Sequence, residues 1–156
     1  MWLNRSLILM FKIQKKVIYA IEAVIDIALN SGPGLVQNED VAKRQGIPKR
    51  YLEHTLQILV RNKILVGSRG PRGGYSLAKE RRKISILEII KSVSESDKKT
   101  MNYNSDISQK IIIPLIQNTT NECFEKFASI TIEQLCKIAK NKNIQKNISK
   151  KVDFVI

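Results

Sequence analysis

A short segment in the middle of the chain limits the fold more than any other. Ile64-Leu65-Val66-Gly67 and Gly74-Tyr75-Ser76-Leu77 read as two strands, and between them lies Ser68-Arg69-Gly70-Pro71-Arg72-Gly73. Branched and aromatic residues on either side of a Gly/Pro cluster make a hairpin. The other periodic stretches of the chain repeat every three to four residues, as helices do. The expected fold class is therefore mainly α with a small β-hairpin. The hairpin tip is also basic. Its glycines let a backbone approach a partner closely, and its arginines suit a narrow, strongly negative minor groove.

What precedes the hairpin gives it a context. A first helix is expected from Lys12 to Asn30, with Val17, Ile18, Ile21, Val24, Ile25, Ala28 and Leu29 on one broad apolar face. Ser31-Gly32-Pro33-Gly34 stops it. Asn38 is placed to cap a second helix, with Glu39 and Asp40 complementing its dipole, and that helix ends at Gln45-Gly46. Pro48 suits the first position of a third helix. Leu52, Leu56, Leu59 and Val60 form its buried stripe, leaving Lys49, Arg50, Glu53, His54, Gln57 and Arg61 on other faces. Two short helices joined by a tight glycine turn make a helix-turn-helix. A basic hairpin directly after the second of them makes it a winged one.

The charge distribution fits. The chain of 156 residues carries +13, and the stretch from Lys43 to Lys83 holds twelve basic residues against two acidic ones, a net of +10. Codon bias alone could enrich lysine across a chain, but a surplus this concentrated points to a polyanionic partner. The competing reading of the run is a solvated charged surface.

After the hairpin, Ser85-Ile86-Leu87-Glu88 is a capping-box pattern opening a short helix through Ile89, Ile90 and Val93. Residues 94–110 read as a loop. A long helix is expected from Ile111 to Phe127, its apolar positions being Ile111, Ile112, Leu115, Ile116, Cys123, Phe124 and Phe127, with Pro114 in its first turn or at a kink. Thr131-Ile132-Glu133-Gln134 is a second capping box, opening a final helix through Leu135, Cys136, Ile138 and Ala139, and a Lys/Asn-rich tail occupies 141–156.

Taken in order, Gly46-Ile47-Pro48-Lys49-Arg50-Tyr51-Leu52-Glu53 and Arg69-Gly70-Pro71-Arg72-Gly73-Gly74-Tyr75-Ser76-Leu77 closely resemble the Rrf-two family of winged helix-turn-helix regulators. The likeness extends from Tyr19-Ala20 to Ser129-Ile130-Thr131-Ile132-Glu133-Gln134-Leu135. It implies a winged helix-turn-helix domain over 10–93, an N-terminal extension over 1–9, and a dimerisation helix followed by a C-terminal helix over 111–140. In relatives the recognition-helix tyrosine and glutamate and the first wing arginine contact DNA; they match Tyr51, Glu53 and Arg69 here. The expected DNA-binding set is Lys49, Arg50, Tyr51, Glu53, His54, Gln57, Arg69, Gly70, Arg72 and Gly73. A carboxylate such as Glu53 can accept from a cytosine amino group in the major groove, whereas Lys49 and Arg50 suit phosphate. The expected dimer interface is Ile111, Leu115, Ile116, Cys123, Phe124 and Phe127. Ordinary monomer core is the alternative for that stripe.

Cluster-binding members of the family carry three cysteines in the loop before the long helix, often with a histidine nearby. Here residues 94–113 contain no Cys and no His; the two cysteines of the chain, Cys123 and Cys136, fall inside expected helices. The expectation is a cytoplasmic, homodimeric, sequence-specific transcription regulator without an iron–sulfur cluster or other cofactor. Its partners are a pseudo-palindromic DNA duplex and an effector, if it has one, that no motif names. The alternative is an iron–sulfur sensor whose ligands are not evident. An enzyme is disfavoured, because the one histidine, His54, lies on the third helix, the carboxylates are scattered, and the glycine-rich hairpin lacks the Lys-Ser/Thr and following helix of a phosphate loop.

Overall fold

The computed structural model describes residues 13–94 and 103–144. The expected extension over 1–9, the middle of the expected loop and most of the tail lie outside the described residues. Among the described residues six α-helices and one hairpin follow in the order α1 (Lys15–Asn30), α2 (Asn38–Gln45), α3 (Lys49–Arg61), β1 (Leu65–Ser68), β2 (Gly74–Leu77), α4 (Ile86–Ser94), α5 (Ile113–Ser129) and α6 (Ile132–Asn141). A short 3-10 turn over Arg81–Lys83 precedes α4, and a π-helical turn over Ser108–Ile112 leads into α5.

Helix α1 is the hub, packed against α2, α3, α4, α6 and strand β2. Being surrounded, it buries more than the one face that its large aliphatics suggest. Ala20, Ala23, Val24, Ile27 and Ala28 are fully buried, whereas Ile18 is exposed. The alanines explain the rotation of the face, because small side chains let neighbouring helices approach closely. Leu52, Leu56 and Leu59 of α3 enter the same core as expected, and Val60 is only partly covered. Ile84, Ile89 and Ile132 join them, so α4 and α6 belong to one core with the N-terminal helices.

Two backbone devices tie the pieces together. Val36 exchanges both hydrogen bonds with Tyr75, N–H to carbonyl at 2.9 and 2.8 Å, adding a one-residue third strand that the sequence did not announce. Ile86 donates to the Ile130 carbonyl and Ile132 to the Ile84 carbonyl, each at 2.9 Å, clamping the start of α6 beside the start of α4.

Several local expectations are corrected. Asn38 is the first residue of α2 rather than its cap; Gln37 occupies the cap without a side-chain bond. Pro48 likewise sits at the cap of α3, with Lys49 as first helical residue. At Ser85 only half the capping box forms. The hydroxyl accepts from the Glu88 amide at 3.2 Å, while the Glu88 carboxylate pairs with Lys79 instead of turning back. The box at Thr131 and Gln134 closes in both directions. Ile138 of α6 is exposed. Finally, the end of the expected 94–110 loop is helical, through Asp106 and Ile107 into the π-helical turn. Pro114 lies in the first turn of α5; its missing amide and bulky ring disfavour regular α-helix over the residues just before it, which is where the wider turn sits.

Candidate nucleic-acid interface

The α2–α3 corner is set by a buried charge. Asp26 on α1, its side chain 1% exposed, receives Arg44 through Nη2 at 2.7 Å and Nε at 2.9 Å, and Gln45 Nε2 at 2.8 Å. A buried carboxylate needs such pairing, and here the pairing fixes the end of α2 against α1. Gly46 then turns the chain at φ +66°, a left-handed value costly for residues with a Cβ, and Ile47 drops into the core. Helix α3 therefore leaves the corner with Leu52, Thr55, Leu56 and Leu59 inward. Thr55, absent from the expected stripe, is tolerated there because its hydroxyl donates to the Tyr51 carbonyl at 3.1 Å.

The other side of α3 is open. Lys49, Arg50, Tyr51, Glu53, His54, Gln57 and Arg61 are all exposed. Tyr51 is held edge-on against Tyr19 of α1, ring centroids 5.5 Å apart and planes at 82°, so its ring has a fixed position despite its exposure. Lys49 is partly engaged: its ammonium lies 3.6 Å from the Glu39 carboxylate, which Lys43 also approaches at 3.5 Å. These two cations hold the Glu39 carboxyl below its ordinary pKa.

The hairpin stands beside that open side. Strands β1 and β2 pair antiparallel from Leu65 with Leu77 to Ser68 with Gly74. A Cβ at Gly73 would lie 2.4 Å from the Ser68 carbonyl oxygen, so the hairpin itself closes only with glycine there. Gly70, at φ +109°, has open space around it, as a backbone free to meet a partner would. Arg69 and Arg72 are exposed on the tip.

Helix and hairpin enclose a cleft of about 630 Å³. Glu53, Gln57, Val60 and Arg61 line it from α3, and Gly67, Ser68, Arg69 and Tyr75 from the hairpin. Tyr75 is its floor, packed against Gly67; burial, and secondarily the charge of Glu53, push the phenol above its ordinary pKa. The cleft brings together three of the expected DNA-contacting residues, Glu53, Gln57 and Arg69. It also includes Arg61, Ser68 and Tyr75, which the expected set omitted. Their signal was available in part, since Arg61 lies one helical turn beyond Gln57.

The basic stretch is not one surface. Arg44 is spent on Asp26, and Arg81 donates to the Ala28 carbonyl at the end of α1. Lys79 pairs with Glu88, and Arg82 and Lys83 with Glu80, whose carboxyl is lowered in pKa by those two partners. Arg50, Arg61, Lys63, Arg69 and Arg72 make no ion pair or hydrogen bond with a described residue.

Helix α5 presents the opposite chemistry. None of its seventeen residues is buried. Ile111, Leu115 and Ile116 are 62%, 64% and 58% exposed, and Cys123 is exposed beside them. Phe124 and Phe127 are less so, and Phe124 lies under the Lys91 ammonium of α4 at 5.7 Å, where α5 rests on the rest of the chain. Cys136 is buried within the core, which raises its thiol pKa. An exposed cysteine on α5 and a buried one on α6 do not make a cluster-ligand set, and no group of three or more His, Cys, Asp or Glu able to hold a metal occurs among the described residues. Among them, too, no helix is long and apolar enough to cross a membrane.

Similar proteins agree with this geometry. The transcriptional regulator IscR of Cronobacter sakazakii is 44% identical over 78 residues, 50% of this chain and 48% of that protein, and IscR of Escherichia coli O1:K1 matches to the same extent. The chain thus matches about half the length of these curated relatives. Among solved structures, IscR of T. potens superposes with a TM-score of 0.66 at 27% identity, covering 81% of this chain and 87% of that one. CymR, described as the global cysteine regulator of B. subtilis, has the same fold, with a TM-score of 0.65 at 22% identity over 81% of this chain and 96% of its own. Residues 13–138 match the family described as "Rrf2: Iron-dependent Transcriptional regulator". With the winged helix-turn-helix in place and the match running through α6, the chain belongs to the Rrf2 family of transcriptional regulators.

Proposed function

We propose that the protein is a cytoplasmic, homodimeric regulator that binds a pseudo-palindromic DNA duplex, with α3 in the major groove and the hairpin in the adjacent minor groove, and without an iron–sulfur cluster. The observation that carries this is the cleft with Glu53 and Gln57 on one wall and Arg69 on the other. A recognition helix and a basic wing that share one open cleft can straddle a duplex; if the hairpin were folded away from α3, they could not. Within this reading Glu53 accepts from a cytosine amino group, and Gln57 and His54 face neighbouring base edges. Tyr51 stacks its fixed ring beside them. Arg50 and Lys49 meet phosphate, Lys49 by exchanging Glu39 for it. Arg69 enters the minor groove, and Gly70, Arg72 and Gly73 carry the wing backbone alongside.

A second copy of the chain is the natural cover for α5, because an exposed apolar helix face is stabilised by burial and a two-fold dimer presents the same face twice. It would also set two α3 helices at the spacing of half-sites, about one helical turn apart or a multiple of it. The cluster-free part of the reading rests on donor chemistry: a family described as iron-dependent is represented here by a chain with two cysteines, one of them buried in the core.

The test is binding to sites mapped across the genome, followed as a function of salt. Affinity should fall steeply, because each neutralised phosphate releases counterions. A protein that never associates with duplex DNA in dilute buffer would refute the proposal. Stoichiometric iron and visible absorbance in protein purified without air would overturn its cluster-free part.

A further inference from the structure

We infer that the cleft between α3 and the hairpin seats a backbone phosphate of the duplex, held by Arg61 at the end of the cleft away from Glu53. The inference rests on the docking proposed above and follows from its geometry. The major and minor grooves of a duplex are separated by a sugar–phosphate strand. A helix in one groove and a hairpin in the next must leave room for that strand to pass between them. The space available is the cleft of about 630 Å³, whose floor is Tyr75.

Its lining is graded along the helix. Glu53 and Arg61 are eight residues apart, which places them about 12 Å apart along the axis. The carboxylate, which would repel a phosphate, is thus at one end of the cleft and the guanidinium at the other. Arg61 is exposed and makes no ion pair or hydrogen bond with a described residue, unlike Arg44, Lys79 and Arg82. Nor is it consumed in capping α3, because the Asn62 side chain donates to the Ile58 carbonyl at 2.9 Å. A guanidinium with its donors free binds phosphate oxygens in bidentate fashion. Tyr75, its pKa raised by burial and Glu53, keeps its proton near neutral pH and brings no negative charge. A small apolar effector fits the cleft poorly, since Val60 is its only aliphatic side chain and such sites are mostly apolar.

The experiment compares the full chain with Arg61→Ala and Arg61→Lys on one mapped site, across a salt series. A parallel duplex carries a single neutral methylphosphonate at the phosphate between the major-groove and minor-groove contacts. Arg61→Ala should weaken binding on the order of tenfold, equally for preferred and unrelated sequences, and make the salt slope shallower by about one. Arg61→Lys should restore the slope and part of the affinity, as a point charge does. The methylphosphonate should weaken wild type and leave Arg61→Ala unaffected. Wild-type affinity and slope in Arg61→Ala, in an assay where Arg69→Ala is weakened, would overturn the inference alone. So would a changed sequence preference, which marks base contact. Absence of any duplex binding by the wild type would remove the docking proposal, and this inference with it.

Discussion

Helices α3 and α5 each leave one side uncovered, and the two sides are opposite in chemistry. In α3 the inward residues are Leu52, Leu56 and Leu59, and the outward ones are Lys49, Arg50, Glu53, Gln57 and Arg61. In α5 nothing is buried, and what it and the turn leading into it show to solvent includes Ile111, Leu115 and Ile116. The first pattern is complete within one chain, because its apolar stripe is already satisfied. The second is not, because apolar surface gains roughly 25 cal/mol for each Å² removed from water and Leu115 and Ile116 of α5 remain more than half exposed. An open polar face selects a polar ligand; an open apolar face selects another apolar face. One chain therefore displays a basic polar face, which the proposed function gives to nucleic acid, and an apolar face, which it gives to a second copy.

The comparison breaks most readily at α5. Leu115→Glu combined with Ile116→Glu should convert a dimer to a monomer in sedimentation, and site affinity should fall on the order of 100-fold or more as the linked second half-site is lost. A wild-type monomer, or a double variant that remains dimeric, would show that the apolar face has another role. A matched pair of truncations then sharpens the contrast. Leu56→Ala, at a fully buried position of α3, should cost about 2–5 kcal/mol in denaturant unfolding. Leu115→Ala, measured in an Ile116→Glu background confirmed by sedimentation to be monomeric, should cost within about 0.5 kcal/mol. Equal losses at the two positions would mean that α5 has a cover within its own chain.

Smaller still is the effect expected at the wing. Arg69→Ala should weaken site binding by roughly 1–3 kcal/mol, most for sequences with narrow minor grooves, and leave the melting temperature unchanged because the side chain is exposed. A uniform loss across all sequences would place Arg69 on phosphate rather than in the groove.

How much of this was legible in the chain depends on whether the signal was local. The hairpin strands, the stripe Leu52, Leu56 and Leu59, and the Thr131 capping box are encoded by neighbours in sequence, and they stand where expected. Asp26 with Arg44 could not be read this way, being eighteen residues apart, and so Arg44 was counted as surface charge although its partner is buried. Arg81 was misplaced for the same reason, reaching back to Ala28. The Val36–Tyr75 pairing and the fully buried Ala20 and Ala23 depend on which elements surround α1, and no periodicity reports that. At the candidate interface, Glu53 and Arg69 were visible as motif positions, and Gln57 as an outward residue of the third helix. Arg61 was legible as an outward residue one turn further on, but that it shares a cleft with Ser68 and Tyr75 became visible only once the hairpin was set against the helix.

The two cysteines carry the comparison to its smallest measurable effect, since one lies on the open face of α5 and the other in the closed core. Cys136 is buried in α6, and burial raises its thiol pKa above the ordinary range. Folded protein then holds that proton at pH values where the unfolded chain has released it. The unfolded state is favoured by the difference, so this contribution to stability is complete below the unfolded thiol pKa and declines as pH rises through it toward the raised folded value. Cys136 should therefore resist a thiol reagent at neutral pH until the protein unfolds. Cys123 is exposed on α5 and should react readily in the monomeric Leu115→Glu, Ile116→Glu background, yet slowly in the wild-type dimer, where the partner's α5 covers it. Counting modified thiols against time distinguishes the cases. Fast labelling of Cys123 in a confirmed dimer would move the seam away from this part of α5, and labelling of Cys136 in native protein would mean that the clamp between Ile84, Ile130 and Ile132 opens without global unfolding.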